Sequence, residues 1–260
     1  MFFKQSEADQ WVRDIPKQLK AGKAVTLIGP TGGPKWSRWA RPTYTALPKG
    51  EKGKPFRMAG FDLMLLELVP DPGVASYRFR AEVKHIDGQV PYRVGLYFSQ
   101  TKQATTEDDA NLFLELTYTD MNIENPTTGN NIVRVLADLV REPGPGVIIN
   151  FFSGTALFFK HSPDLKKPWR QLAVEATQEG YQVFWENQLV EKLSWTELNE
   201  TGKAGLDGTI DFGNAVNPSL NALRTVNPAY GPLQGLGLYC NESVAEFRNV
   251  ILEPIPSKQP

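Results

Sequence analysis

The sequence has few of the side chains that most often build catalytic and metal sites. It contains one cysteine, Cys240, and two histidines, His85 and His161. A single cysteine excludes an intrachain disulfide, and three such ligands disfavour a zinc site or a Ser-His-Asp or Cys-His nucleophile. Because Cys240 ends the apolar run Leu236–Cys240, we expect it to be a small buried residue.

Long apolar runs and an excess of one charge are also missing. No stretch approaches the about 20 apolar residues that cross a bilayer, and Met1 to Glu7 lack the apolar stretch of a signal peptide. The net charge of −1 gives no electrostatic reason to expect DNA, RNA or an anionic membrane as partner. We therefore predict no nucleic-acid partner and no membrane insertion, and a location in the cytoplasm or within a larger protein as a soluble domain.

Turns and short strands dominate what the sequence does contain. Residues 6–20 form one helical pattern, which we expect Pro16 to break or kink, and from residue 24 onward the apolar period is two. The predicted strands are 24–29, 36–41, 61–69, 75–86, 91–99, 110–120, 146–152, 154–160, 169–177, 180–186, 233–240 and 243–253. Around 130–142 and 194–205 the pattern loosens, which leaves room for a helical turn or a long loop.

The pattern predicts an all-β fold, a two-sheet antiparallel β-sandwich with a short N-terminal helix. We expect a helical segment at 1–23 packed on a single sandwich domain at 24–254, with a tail at 255–260.

The outward positions of the strands at 75–120 combine charged and aromatic residues. We predict that they form one polar sheet face, completed by the last strand, with candidate ligand-binding residues Arg80, Arg93, Tyr97, Phe113, Glu115, Glu246 and Arg248. Trp36, Trp39 and Trp195 lie in or beside loops, where they could stack on sugar rings or pack into the core.

Two short motifs resemble known sites but lack the required context. Gly29–Ser37 resembles a phosphate loop, yet Trp36 separates Lys35 from Ser37, so we predict a turn between strands. Asp211-Phe-Gly213 matches the magnesium-binding tripeptide of protein kinases without an upstream His-Arg-Asp loop. Neither motif supports nucleotide chemistry.

Paired carboxylates could support hydrolysis, and oxygen-rich loops could bind calcium. The Glu-x-Asp-x-x-Glu pattern of sandwich glucanases is absent, so we assign no catalytic residue; Glu82 and Glu115 are the candidates that could meet across neighbouring strands, or form ion pairs with nearby arginines. We predict no metal and no cofactor, with calcium left open at Thr106–Asp109 and Asp120–Asn131, whose spacing matches no known calcium loop.

The second half of the chain resembles a known superfamily. Pro168–Ala176 followed by Gly180–Val190 is similar to the "W-x-x-L-x-V … V-x-V-x-x-N-G-x-x-V" hairpin of laminin-G-like and concanavalin A-like domains. Gly235–Cys240 and Val244–Pro254 resemble the "G-x-I-G-L … V-x-F-R-N-I-x-I" ending of 3-keto-disaccharide hydrolase-type domains, and Tyr77–Phe98 fits the same arrangement.

This resemblance implies a concanavalin A-like jelly roll. Because Gln188 replaces the hairpin glycine, we expect Asn187 to take the left-handed conformation itself. Val25–Trp39 and Leu65–Pro70 are also similar to segments of C-terminal domains on large bacterial serine/threonine protein kinases.

The sequence thus favours a non-catalytic module that recognises a carbohydrate or a protein, accessory to a bacterial kinase if the second resemblance holds. The alternatives are a glycoside hydrolase of the 3-keto-disaccharide hydrolase type and a purely structural spacer.

Overall fold

Alternating apolar side chains place one face of each long strand in a shared core. The structure, a computed structural model, describes residues 5–40, 51–88, 92–121, 130–142, 148–160 and 169–256. Its strands are β1 (Val25–Ile28), β2 (Arg38–Trp39), β3 (Phe56–Ala59), β4 (Leu63–Val69), β5 (Tyr77–Asp87), β6 (Arg93–Ala104), β7 (Asp109–Asp120), β8 (Asn130–Glu142), β9 (Ile148–Lys160), β10 (Arg170–Ala176), β11 (Gly180–Trp185), β12 (Gln188–Ser194), β13 (Gly235–Asn241) and β14 (Val244–Pro254).

These strands form two antiparallel sheets. Sheet A has the order β1-β14-β5-β10-β11-β12, with β3 also paired to β14, and sheet B has the order β2-β4-β13-β6-β7-β8-β9. The predicted two-sheet antiparallel sandwich is confirmed. The β11–β12 hairpin turns at Asn187, whose φ of 64° is the left-handed conformation expected from the sequence.

The main core lies between the sheets. It contains the predicted inward residues of β5, β6 and β7, among them Phe79, Leu96 and Leu114, each at most 1% exposed. Cys240 also belongs to this core, as predicted. A second, smaller apolar cluster lies on the outer face of sheet B and contains Leu63, Leu65, Tyr97, Phe113, Val140 and Tyr239.

The N-terminal helix α1 (Gln5–Lys20) confirms the helix predicted at 6–20. Its apolar side is anchored in the core by Ile15 and Leu19. Of the two outcomes expected at Pro16, a break does not occur, because the helix continues to Lys20. Gly73 packs directly against Pro16, so the β4–β5 loop covers the turn that contains the proline.

A second helix, α2 (Trp195–Gly213), follows β12 and is succeeded by a 3₁₀ helix at Pro218–Thr225. Ser194 caps α2 by accepting a hydrogen bond from the Glu197 amide. Gly205 lies against the backbone carbonyl of Phe151, so α2 approaches β9 more closely than a larger residue would allow. The helix thereby packs along an edge strand of sheet B.

The segment 130–142, read from the sequence as a helical turn or loop, is instead strand β8. Its inward residues Val133, Val135 and Leu139 join the core, while Leu136 and Val140 on the other face are also buried. A strand buried on both faces does not alternate between apolar and polar residues, and this explains why its pattern loosened.

Candidate functional site

The residues predicted to form one polar face are divided between the two sheets. The outer face of sheet A carries Arg80, Glu82, Glu246 and Arg248. The outer face of sheet B carries Arg93, Tyr97, Phe113 and Glu115. The prediction of a single face is wrong because the chain passes from sheet A to sheet B between β5 and β6. Glu82 and Glu115 therefore do not meet across neighbouring strands.

The outer face of sheet A is a solvated ladder of ion pairs. Arg80 Nε lies 3.2 Å from Glu253 Oε1, and Arg248 Nε donates to Glu82 Oε2 at 2.6 Å. The Arg248 guanidinium also lies 4.2 Å from the ring centre of Trp169. Each of the four paired side chains is about a third exposed, and ion pairs of this kind each contribute about 0–1 kcal/mol to stability.

On sheet B, three charged side chains form a buried charge cluster: Arg93, Glu115 and Asp138. Arg93 Nε lies 2.6 Å from Glu115 Oε1, and its Nη2 lies 3.4 Å from Asp138 Oδ2. Thr117 Oγ1 donates to Glu115 Oε1 at 3.1 Å, and Asn150 Nδ2 donates to Asp138 Oδ1. Both carboxylates are fully buried, so neither faces an open cleft.

The carboxyl group of Asp138 is protonated more readily than that of a solvent-exposed aspartate. Burial raises the pKa of Asp138 well above its usual range, the neighbouring Glu115 raises it further, and Arg93 opposes the shift. Because Asp138 keeps its proton to a higher pH than a free aspartate does, it adds less negative charge beside Arg93. A cluster of this kind, in which the protonation of Asp138 limits the negative charge around Arg93, fits a structural role.

Tyr97 and Phe113 are buried as well. Their ring centres are 6.1 Å apart in an edge-on arrangement, and the Phe113 and Tyr239 ring centres are 6.3 Å apart. Each of these three rings is 0% exposed. They pack against one another and cannot offer a surface to a ligand in this conformation.

A pocket opens at one end of the same outer face, beyond this aromatic layer. Its volume is about 480 Å³, within the range of small-molecule sites. We call it the Glu67 pocket. Its polar and glycine lining residues are Arg38, Glu67, Gln100, Thr101, Lys102, Gln234 and Gly235.

A β-bulge in β6 builds one side of the Glu67 pocket. The register of β6 shifts against both neighbouring strands at Ser99, which has a φ of 53°. Ser99 Oγ donates to Gln234 Oε1 at 2.7 Å and accepts from the Gly231 amide at 2.8 Å, while Gln234 Nε2 donates to the Ala229 carbonyl at 2.6 Å. The bulge thus fixes the loop at 229–234 that forms the wall.

The floor of the pocket carries an ion pair between a buried acid and an exposed arginine. Glu67, 2% exposed at its side chain, pairs with Nε of Arg38, which is 62% exposed. Gln100 Nε2 donates to Asn111 Oδ1 at 2.6 Å. A Cβ atom at Gly235 would lie 2.6 Å from Gln100 Oε1 and 2.9 Å from Glu67 Oε1, so this glycine leaves the space between them empty.

The sequence reasoning did not identify the residues of the pocket floor. One signal was available, since Glu67 is the only charged residue in β4, Leu-Met-Leu-Leu-Glu-Leu-Val. A carboxylate within an otherwise apolar strand requires a charged partner or a function. Gln100 and Gly235 carry no comparable signal, because their place on the floor depends on the bulge at Ser99.

The three tryptophans considered as stacking platforms have different surroundings. Trp39 lines the Glu67 pocket and also packs against the core. Trp36 Nε1 donates to Asp9 Oδ1 on α1 at 3.2 Å. Trp195 is 7% exposed and its Nε1 donates to the Thr177 carbonyl at 2.9 Å, so it belongs to the core.

The motifs that suggested phosphate, magnesium or calcium binding have ordinary structural surroundings. The loop 29–37 leads into β2 without a helix, and Asp211 lies 2.5 Å from Arg224. Arg141 contacts Glu107 and Asp108 of the first oxygen-rich stretch, at 2.9 and 2.7 Å. In the second stretch, residues 122–129 lie outside the described residues, as does His161.

Within the described ranges, no group of three or more Asp, Glu, His or Cys residues is arranged to hold a metal ion. Within the same ranges, no helix is long and apolar enough to cross a membrane.

A scan against protein-family models and a search of curated proteins found no match. Solved structures similar to this chain include carbohydrate-binding modules and glycoside hydrolases. The carbohydrate binding module CBM66 from Bacillus subtilis is 13% identical, with 88% of this chain and 94% of that chain covered and a TM-score of 0.40.

The β-porphyranase BpGH16B from Bacteroides plebeius is 8% identical over 97% of this chain and 100% of that chain, with a TM-score of 0.44. Xyloglucan PUL GH43B of Bacteroides ovatus is 11% identical over 88% of this chain and 38% of that chain, with a TM-score of 0.47. Since none of these three TM-scores reaches 0.5, the function has to be argued from the residues of this chain.

Proposed function

We propose that this domain is a non-catalytic recognition module that binds a carbohydrate in the Glu67 pocket. The observation that carries the proposal is the pocket itself, about 480 Å³ in volume and lined by charged and amide side chains together with Trp39. Sugar hydroxyls need both donors and acceptors. The guanidinium of Arg38 donates, the carboxylate of Glu67 accepts, and the Gln100 amide offers both groups.

The distribution of carboxylates supports binding without hydrolysis. A glycoside hydrolase needs two carboxyl groups about 5–10 Å apart on either side of the scissile bond. Among the residues that line the pocket, Glu67 is the one carboxylate, and Arg38 neutralises it. Glu82 is paired with Arg248 on the other sheet, and Glu115 is buried against Arg93.

The test is a glycan array probed with the full chain, followed by calorimetry on the sugars that bind. Gly235→Ala places a methyl group on the pocket floor and should weaken binding by at least about tenfold. Gly208→Ala is the matched control, because a Cβ atom at this helical position meets nothing within 4 Å. Absence of binding to every glycan, or equal binding by the two variants, would refute the proposal.

A hydrolase assay tests the alternative activity. We expect no release of sugar from chromogenic glycosides or from 3-keto-disaccharides. Turnover by the wild-type chain would instead make the protein a glycoside hydrolase. A protein ligand and an accessory role beside a bacterial kinase stay predictions from the sequence, as do the residue roles assigned there.

A further inference from the structure

The geometry points to an acidic saccharide, with a sugar carboxylate bound by Arg38 at the mouth of the Glu67 pocket. This inference rests on the proposed function and names the class of ligand. Three of the lining residues are charged: Arg38 and Lys102 are positive, and Glu67 is negative. Glu67 pairs with Arg38, and Asp109, beside the pocket, pairs with Lys102, so each cation of the lining already has one carboxylate partner.

Arg38 is oriented so that part of its guanidinium remains available. Its ion pair with Glu67 uses Nε, on the side of the guanidinium nearest the chain. Within the described residues, neither terminal nitrogen of Arg38 makes a hydrogen bond, and the side chain is 62% exposed. Two terminal nitrogens in one plane match the two oxygens of a carboxylate, which they can bind bidentately.

Glu67 holds this guanidinium in place. The acid is 2% exposed and lies on β4, next to the two-residue edge strand β2, so the Arg38 side chain on β2 is anchored at one nitrogen. Anchoring lowers the conformational entropy that Arg38 would lose on binding an anion. Glu67 is therefore a positioning residue for Arg38.

Lys102 supplies a second positive charge across the pocket. It lies on β6, three strands from β2 in the order β2-β4-β13-β6, which corresponds to about 14 Å between the two backbones. It pairs with Asp109 at 3.2 Å, and both side chains are about half exposed. Two cations this far apart suit an oligosaccharide with repeated carboxylates better than a single acidic sugar.

The experiment compares oligogalacturonate with the matched neutral galactose oligomer by calorimetry, using the full chain. We expect the acidic oligomer to bind at least about tenfold more tightly, with an affinity that falls as salt is raised. Arg38→Gln should remove most of this preference. Arg80→Gln, which removes an arginine from the outer face of sheet A, is the matched control and should leave it unchanged.

Because Arg38→Gln removes the partner of a buried acid, Lys102→Gln serves as a second test at a half-exposed site. It should reduce binding of the acidic oligomer several-fold and leave the neutral oligomer unaffected. Equal binding of both oligomers by the wild type would overturn this inference and leave the proposed function standing. Binding of neither oligomer, with no other acidic glycan bound on the array, would overturn the inference, and binding of no glycan at all would overturn both.

Discussion

The outer faces of the two sheets carry the same residue types but use them in opposite ways. On sheet A, Arg80 and Arg248 pair with carboxylates that remain about a third exposed. On sheet B, Arg93 pairs with Glu115 at 0% exposure. Water screens the attraction within an exposed ion pair, so losing the pair costs little stability. A buried charge that loses its partner is strongly destabilising. The comparison teaches that alternation locates a charged residue on an outer face but does not reveal whether that face is covered.

The largest expected difference in stability is between variants of one arginine from each outer face, Arg93 on sheet B and Arg80 on sheet A. Arg93→Ala should lower the free energy of unfolding by about 3–5 kcal/mol, because it leaves Glu115 buried without its cation. Arg80→Ala should lower it by about 0–1 kcal/mol. Urea unfolding followed by circular dichroism measures both. Equal losses would show that the two faces do not differ in the way described. For the same reason, Arg93 and Tyr97 variants report on stability and are poor probes of ligand binding.

The next largest expected effect on stability concerns His85, a buried residue of β5. Burial lowers its pKa to about 4, against the opposing influence of Asp120 and Asp87, and its Nδ1 accepts a hydrogen bond from the Asp120 amide at 3.2 Å. Because the folded pKa lies below the usual 6.5, the stabilisation is complete above pH 6.5 and is lost as the pH falls to about 4.

The expected loss of stability over this range is about 3 kcal/mol. His85→Gln should flatten this part of the pH profile, as measured by urea unfolding at a series of pH values. An unchanged slope in the variant would assign the acid sensitivity to other groups.

The sequence predicted the architecture better than the site, for a physical reason. Strands with one buried face, such as β5, alternate and were identified. Strand β8 is buried on both faces and α2 contains several glycines at its packing surface, so neither showed the expected periodicity. Because both sheets turn their apolar residues inward, alternation could not show that β5 and β6 belong to different sheets.

The site depended on features that no local pattern encodes. The Glu67 pocket needs the bulge at Ser99, the loop that Ser99 binds, and the meeting of β2 with β4. Of its residues, sequence reasoning named Trp39 as a stacking candidate. A lone acid in an apolar strand, Glu67 in β4, was the one sequence signal for this pocket.

The last contrast is between the two carboxylates of the buried charge cluster, Glu115 and Asp138. Asp138 has a folded pKa raised above its usual value, so the folded state holds a proton that the unfolded chain releases as the pH rises. This contribution to stability is present at acidic pH and is lost as the pH rises through the folded pKa. Asp138→Asn mimics the protonated acid, keeps an oxygen to accept from Asn150, and should match the wild type near pH 4.

As the pH rises toward 8, Asp138→Asn should become more stable than the wild type, because the variant has no proton to lose. Glu115→Gln is the contrasting variant, and it should be destabilised at neutral pH because Arg93 then lacks an ionised partner at 2.6 Å. Urea unfolding at acidic, neutral and basic pH tests both variants. If Asp138→Asn is as destabilised as Glu115→Gln at neutral pH, then Asp138 is ionised in the folded protein. The cluster would then hold two negative charges against one positive charge, contrary to the limited negative charge that we describe around Arg93.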